Sequence, residues 1–110
     1  MDLVIPEEEK LAAQLAKSIH VNHDDSTTAR ARMLYAVGQF DEEECAPRLG
    51  SKTTAAWLIR DLRIPRSTAF EYVFVARGIR QYRMLYESFE KARISYTTVR
   101  WLLNYINEAV

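Results

Sequence analysis

Apolar residues recur along this chain at the three- and four-residue spacing of helical faces, and no stretch alternates as a strand would. Leu11, Leu15 and Ile19, with Ala12 and Ala16 beside them, make the first such stripe. Pro6 and Glu7 to Glu9 suit the opening turn of a helix, where a missing N–H is harmless and negative charge is favoured. This helix is expected to end near His20. Val21 to Asp25 reads as a polar connection, and Asp25 or Ser26 is placed to cap a second helix from about Thr27 to Phe40. Ala29, Met33, Ala36, Val37 and Phe40 share one face of that helix, which Leu34 and Tyr35 widen. Asp41 to Gly50 is an acidic linker containing Pro and Gly, with a partial helical turn expected at Glu42 to Cys45.

The stretch from Thr53 to Tyr82 organises the second half. It predicts a short helix to Leu62, capped by Ser51 or Thr53, whose apolar residues are Ala56, Trp57, Leu58, Ile59 and Leu62. A tight turn follows at Arg63-Ile64-Pro65, because the residue before a proline is pushed out of helical geometry. A long helix then opens at Ser67 or Thr68, and Thr68 with Glu71 has the spacing of a capping box. This helix is apolar on nearly every side between Ala69 and Ala76, which places it in the middle of a bundle. Past Gly78 a fifth helix is expected from Arg83 to Lys91, with Met84, Leu85 and Phe89 inward. Ser95 caps a sixth, carrying Tyr96, Val99, Leu102, Leu103, Ile106 and Val110 at helical spacing. The fold class is therefore all-α, a compact bundle of five or six helices forming one domain over residues 1–110. Within it, residues 1–25 are an acidic helix and connection, and residues 26–110 the core.

Composition narrows the class. A chain of 110 residues buries roughly two-thirds of its unfolded surface, and 48% hydrophobic content with three Gly and three Pro describes a globular chain. The lone Cys45 excludes an internal disulfide, and Glu42 to Glu44 beside it disfavour a thiolate. No run approaches the ~18 apolar residues of a membrane span. The N-terminus lacks the basic start and apolar core of a signal peptide, so a cytoplasmic location is expected. Net charge is zero, but its distribution is uneven: −4 over residues 1–25, −1 over 26–50 and +6 over 51–100, with Glu108 closing the sum. Positive charge thus gathers on the half that carries the two-helix motif, as an electrostatic footprint for nucleic acid requires.

A set of short motifs adds a resemblance. Gly50-Ser51, Ala56-Trp57-Leu58, Ser67-Thr68-Ala69, Val75-Ala76-Arg77, Ile94-Ser95 and Val99-Arg100 stand in the order and spacing of one family. The chain resembles the actinobacterial domain found N-terminal to HNH endonuclease domains, which includes the mycobacterial 13E12 repeat proteins. The likeness runs from about Ala29 to Ala109. Tyr82-Arg83 stands where the family commonly has Leu-Pro, Ala92 where it has a turn Gly, and these 110 residues hold no HNH nuclease domain. The closing helices resemble, more distantly, the helix-turn-helix core of ParB-type partition proteins. The resemblance implies a helical module that targets or regulates at DNA.

His20 and His23, with Asp24 and Asp25, lack a third ligand at a recognisable spacing and read as a helix end and capping loop, so neither a metal nor a nuclease is expected. No phosphate loop, nucleophile elbow or paired-carboxylate motif is present, and no cofactor and no enzymatic activity are expected. The motif instead suggests a reader of double-stranded DNA. Arg66 would contact a base edge or phosphate, Ser67 and Thr68 phosphates, and Arg60, Arg63, Arg80 and Arg83 the flanking backbone. Phe70 and Phe74 fall where a recognition helix faces DNA, so the first or last helix is expected to pack over them. Trp57, Trp101, Tyr72, Tyr96 and Tyr105 read as core and half-buried aromatics in preference to stacking platforms. The alternative function is protein interaction or oligomerisation, including a homodimer, through the acidic amphipathic first helix.

Overall fold

The computed structural model describes residues 6–109; Met1 to Ile5 and Val110, the last apolar position expected in the sixth helix, lie outside them. Six helices and no strand occur among the described residues: α1 Glu7–Glu42, α2 Cys45–Arg48, α3 Thr54–Leu62, α4 Arg66–Gln81, α5 Arg83–Glu90 and α6 Tyr96–Ala109. The chain is all-α, as its periodicity predicts.

The N-terminal region corrects the sequence reading. The first helix expected to end near His20, the connection at Val21 to Asp25 and the second helix after it are, from Glu7 onward, one continuous α1 of 36 residues, a rod about 54 Å long. No Gly or Pro interrupts it between Glu7 and Val37, and the polar residues expected to break it are absorbed. The Asn22 amide donates to the Ser18 carbonyl at 2.8 Å, and the Thr27 hydroxyl to the His23 carbonyl at 3.1 Å. Such bonds let short polar side chains stay inside a helix. Their poorer helix propensity costs only a few tenths of a kcal/mol each, whereas a break would strand a full turn of backbone groups.

The two halves of α1 have different surroundings. Ala31, Leu34, Val37 and Gly38 are buried, packed chiefly along α4. Every residue from Glu7 to Ser26 is exposed. This N-terminal arm stands out from the bundle and stretches the molecule to 68 × 33 × 20 Å. At the junction, the Thr28 hydroxyl donates to the Glu90 carbonyl at 2.7 Å and Arg32 pairs with the Glu90 carboxylate at 2.9 Å, which fastens α5 to α1.

Helix α4 is the central strut that its all-round apolarity predicts. Ala69, Val73, Val75, Ala76 and Ile79 are buried, and α1, α3, α5 and α6 all touch it. Leu58, Phe89, Val99 and Leu103 complete the core from α3, α5 and α6. Gly38 sets the closest crossing: a Cβ there would lie 2.8 Å from the Ala76 carbonyl oxygen. Beyond it, Asp41 and Glu42 at the end of α1 pair with Arg77 (2.8 Å) and Arg80 (2.6 Å) of α4. Arg80 also lies over the Tyr35 ring, 4.6 Å from its centroid.

The helix ends are mixed. Thr53 accepts the Ala56 amide at 3.1 Å and Ser95 the Thr98 amide at 3.1 Å, so both of these expected caps form. The capping box at Thr68 does not. Helix α4 opens two residues earlier, at Arg66, with Pro65 as its uncapped N-cap. The Glu71 carboxylate instead accepts the Tyr96 hydroxyl at 2.6 Å and Arg100 at 3.2 Å. The turn expected at Glu42 to Cys45 is displaced as well: α1 runs through Glu42, Glu44 is left-handed, and α2 holds Cys45 to Arg48. At the end of α5 the Ala92 amide donates to Phe89 and the Arg93 amide to Ser88, both at 2.9 Å. This is the Schellman pairing, and it holds Ala92 at φ 57°.

Two opposite substitutions test this packing. Gly38→Ala should destabilise the fold by about 1–3 kcal/mol, because the added methyl meets backbone that cannot yield. Ala92→Gly should stabilise it by about 1 kcal/mol, because a left-handed residue then carries no Cβ. Urea unfolding of each variant beside the wild type measures both.

Candidate nucleic-acid interface

Helix α3, the Arg63-Ile64-Pro65 turn and α4 form the two-helix unit that the sequence predicts. Arg63 closes α3 in the left-handed region, φ 55° and ψ 38°. A single residue there reverses the chain where helix-turn-helix units often use Gly. Pro65 then has no N–H to satisfy, and the Ala69 amide returns to the Pro65 carbonyl at 2.9 Å. The amides of Arg66, Ser67 and Thr68 precede that first intrahelical bond. No side chain caps them and no acidic residue stands in the first turn. The positive end of a 16-residue helix is therefore open, and anions are favoured at such an end.

The seven residues expected at DNA do not act as one group. Arg63, Arg66 and Ser67 are exposed and Thr68 is half-buried at this corner. The Arg66 guanidinium lies 5.0 Å from the Phe70 ring centroid. Arg60 is engaged elsewhere: it donates to the Leu49 carbonyl at 2.8 Å, the Gly50 carbonyl at 3.3 Å and Asp61 at 2.7 Å, latching the loop before α3. Arg80 is committed to Glu42 and Tyr35. Arg83 sits on α5, exposed, paired with Glu87 at 3.0 Å. The corner proper is thus Arg63, Arg66, Ser67, Thr68 and the open α4 amides.

The face expected to be covered is covered only in part: Phe74 is half-buried against the core, with α6 alongside α4, while Phe70 is left open. Phe70 is 51% exposed because the first half of α1 projects away from the bundle and α6, though alongside, leaves a valley. Phe70, Glu71, Phe74, Thr97, Arg100 and Trp101 line it, and it continues past Phe74 to Gln81, Leu103 and Asn107. Trp101 is 62% exposed and stacks on Tyr105, ring centroids 5.9 Å apart. Both were expected in or near the core, and both lie outside it. The available signal was helical phase. Each stands two positions from the Val99–Leu103 stripe, about 200° round the helix. Trp57, Tyr72 and Tyr96 are half-buried as expected.

The surrounding ionisable groups are tuned by pairing. Hydrogen bonding by Arg77 holds the Asp41 carboxyl below its ordinary pKa, opposed by partial burial and helped by the Thr54 hydroxyl at 2.7 Å. Arg80 does the same for Glu42. Burial, with the hydrogen bond to Glu71, pushes the Tyr96 phenol well above its ordinary value. His20 and His23 lie on the exposed arm. No group of three or more His, Cys, Asp or Glu able to hold a metal ion occurs among the described residues. No described helix is long and apolar enough to cross a membrane.

A comparison with protein-family models, with curated proteins and with solved structures returned no match.

The Asp41 cluster has a pH signature. A carboxyl whose pKa falls on folding adds stability above its unfolded pKa, about 4, and that stability is lost as pH drops through the folded value. Asp41→Asn should therefore lower stability at pH 7 by about 1–2 kcal/mol, solvent around Arg77 weakening the pair. The difference from wild type should shrink below about pH 4. Thermal unfolding of both proteins between pH 3 and pH 7 checks the sign.

Proposed function

We propose that this chain is a non-catalytic double-stranded DNA-binding module, either a regulator or the targeting domain of an HNH-nuclease-type protein. The observation that carries this reading is the corner at Arg63 to Thr68. An uncapped helix N-terminus faces solvent there between two exposed arginines, and none of the described ion pairs involves either one. Backbone amides and Ser67 would bind one phosphate, and Arg63 and Arg66 would reach neighbouring phosphates or a guanine edge. The left-handed Ala92 supports the resemblance to the HNH-associated domain, since it occupies, where that family has a turn Gly, a conformation that glycine adopts most readily, and the left-handed Arg63 does the same where helix-turn-helix units often have Gly.

A second reading is protein association through the N-terminal arm. It is favoured by the exposure of every residue from Glu7 to Ser26, Leu11, Leu15 and Ile19 among them.

Binding to a labelled random duplex at two or more salt concentrations tests the first. With Arg63 and Arg66 as the free cations, each corner should give a slope of log K against log salt of about −2. Arg63→Ala with Arg66→Ala should remove that slope and most of the affinity. Arg63→Gly should separate the roles, raising stability by about 1 kcal/mol through relief of the left-handed strain while weakening DNA binding. Duplex binding indifferent to both substitutions would move the interface to another part of the chain.

A further inference from the structure

The molecule carries an unpartnered aliphatic ridge and an open valley of aromatic, aliphatic and polar side chains, opposite in shape. One is the arm, where Leu11, Leu15 and Ile19 form a stripe, flanked by Ala12 and Ala16, and the last of them is 68% exposed. The other is the valley between α4 and α6, from Phe70 and Trp101 past Phe74 to Gln81 and Asn107. The valley extends along about eleven residues of α4, roughly 16 Å, and the stripe spans about 12 Å at the helical rise. A helix with an aliphatic face seated in an aromatic groove is a recurrent recognition mode, and exposed Trp, Tyr and Arg are the residues that dominate such contacts.

The arm cannot reach the valley of its own chain. It is continuous with the packed half of α1, and folding back would require breaking the helix between His20 and Thr27. We propose that two copies exchange arms, each arm lying in the partner's α4–α6 valley. This rests on the reading of the arm as an association surface and names what it binds.

Charge sets the direction. Glu7, Glu8 and Glu9 stand at the arm's tip. Arg66, in none of the described ion pairs, stands at the end of the valley where α4 and α6 both begin, Arg100 there is paired with Glu71, and the uncapped N-terminus of α4 adds positive potential. The arm therefore runs parallel to α4 and α6, its glutamates at the Phe70 end and Ile19 toward Asn107. Area selects exchange over simple pairing of two arms. A stable specific interface buries about 1,200–2,000 Å² in total, and three aliphatic side chains meeting their own copies fall short of that. Reciprocal exchange covers two arms and two aromatic valleys, and a two-fold axis closes it without leaving an open end.

Sedimentation equilibrium of the full chain over about 1–200 µM, the range of a micromolar Kd, reads the result. The expected mass is twice that of the 12.8 kDa chain. An arm variant (Leu15→Glu with Ile19→Glu) and a valley variant (Phe70→Ser with Trp101→Ser) should each be monomeric, with far-UV helicity showing that each still folds. Mixed in equal amounts, they should regain dimer, because one intact arm then meets one intact valley. In a Trp57→Phe background, Trp101 emission should shift blue as the wild-type pair forms. A chain that stays monomeric throughout the range overturns the exchange. A dimer lost in the arm variant and kept in the valley variant overturns it too, but leaves the arm as the association surface. A dimer kept in the arm variant overturns both.

Discussion

The crossing of the second half of α1 over α4 is the contact on which the other elements depend. It is close because the residues at the crossing are small: Gly38 leaves no room for a methyl against Ala76, and Ala31 is buried nearby in the same core. Just past the crossing, Asp41 and Glu42 grip Arg77 and Arg80, and Asp41 also takes the Thr54 hydroxyl at the start of α3. One carboxylate thereby fixes the angle of α1, the entry of α3 and the rotation of α4. The corner at Arg63 to Thr68 inherits its orientation from that node, although no corner residue touches it.

The same node takes up part of the charge that the positive half of the sequence carries. Residues 51–100 carry a net +6, yet Arg60, Arg77, Arg80, Arg83 and Arg100 all hold internal partners. Several join elements far apart in the chain, as Arg77 and Arg80 do. Half of the ten bases in that stretch are thus structural. Of the rest, Arg63 and Arg66 share one exposed corner while Lys52, Lys91 and Arg93 stand exposed elsewhere, and with so few cations at the corner any specificity there would come from geometry more than from bulk attraction.

Much of the fold was legible in the sequence wherever one strong signal acted alone. The 3.6-residue stripes located α3, α4, α5 and α6 and both halves of α1, Thr53 and Ser95 announced their caps, and the apolar girdle of α4 announced its central place. The failures share a cause: two weak signals competed and tertiary context decided. Asp25 and Ser26 carry a capping signature after the polar run from Val21, but nothing nearby forces a break, so the helix continues through them. Thr68 and Glu71 have capping-box spacing, but Tyr96 and Arg100 claim the carboxylate and Pro65 has already started the helix. The expectation that some helix covers Phe70 presumed that every large aromatic is enclosed by its own chain, which the projecting arm contradicts. Of the seven residues assigned to DNA, the sequence could not separate Arg60 and Arg80 from Arg63 and Arg66, because partners ten to thirty-eight positions away decide that difference.

The uninterrupted α1 has a consequence for how this region can vary. In a hinged arm, added or deleted residues would change only reach. In a continuous helix, each one also turns everything before it by about 100° about the axis. Losing one residue between His20 and Thr27 would carry Leu11, Leu15 and Ile19 more than a quarter-turn round, although no contact in the bundle changes. Losing seven would leave them within about 20° of their present bearing, only set back along the rod. The arm's length is therefore negotiable in whole pairs of turns, and its phase is fixed.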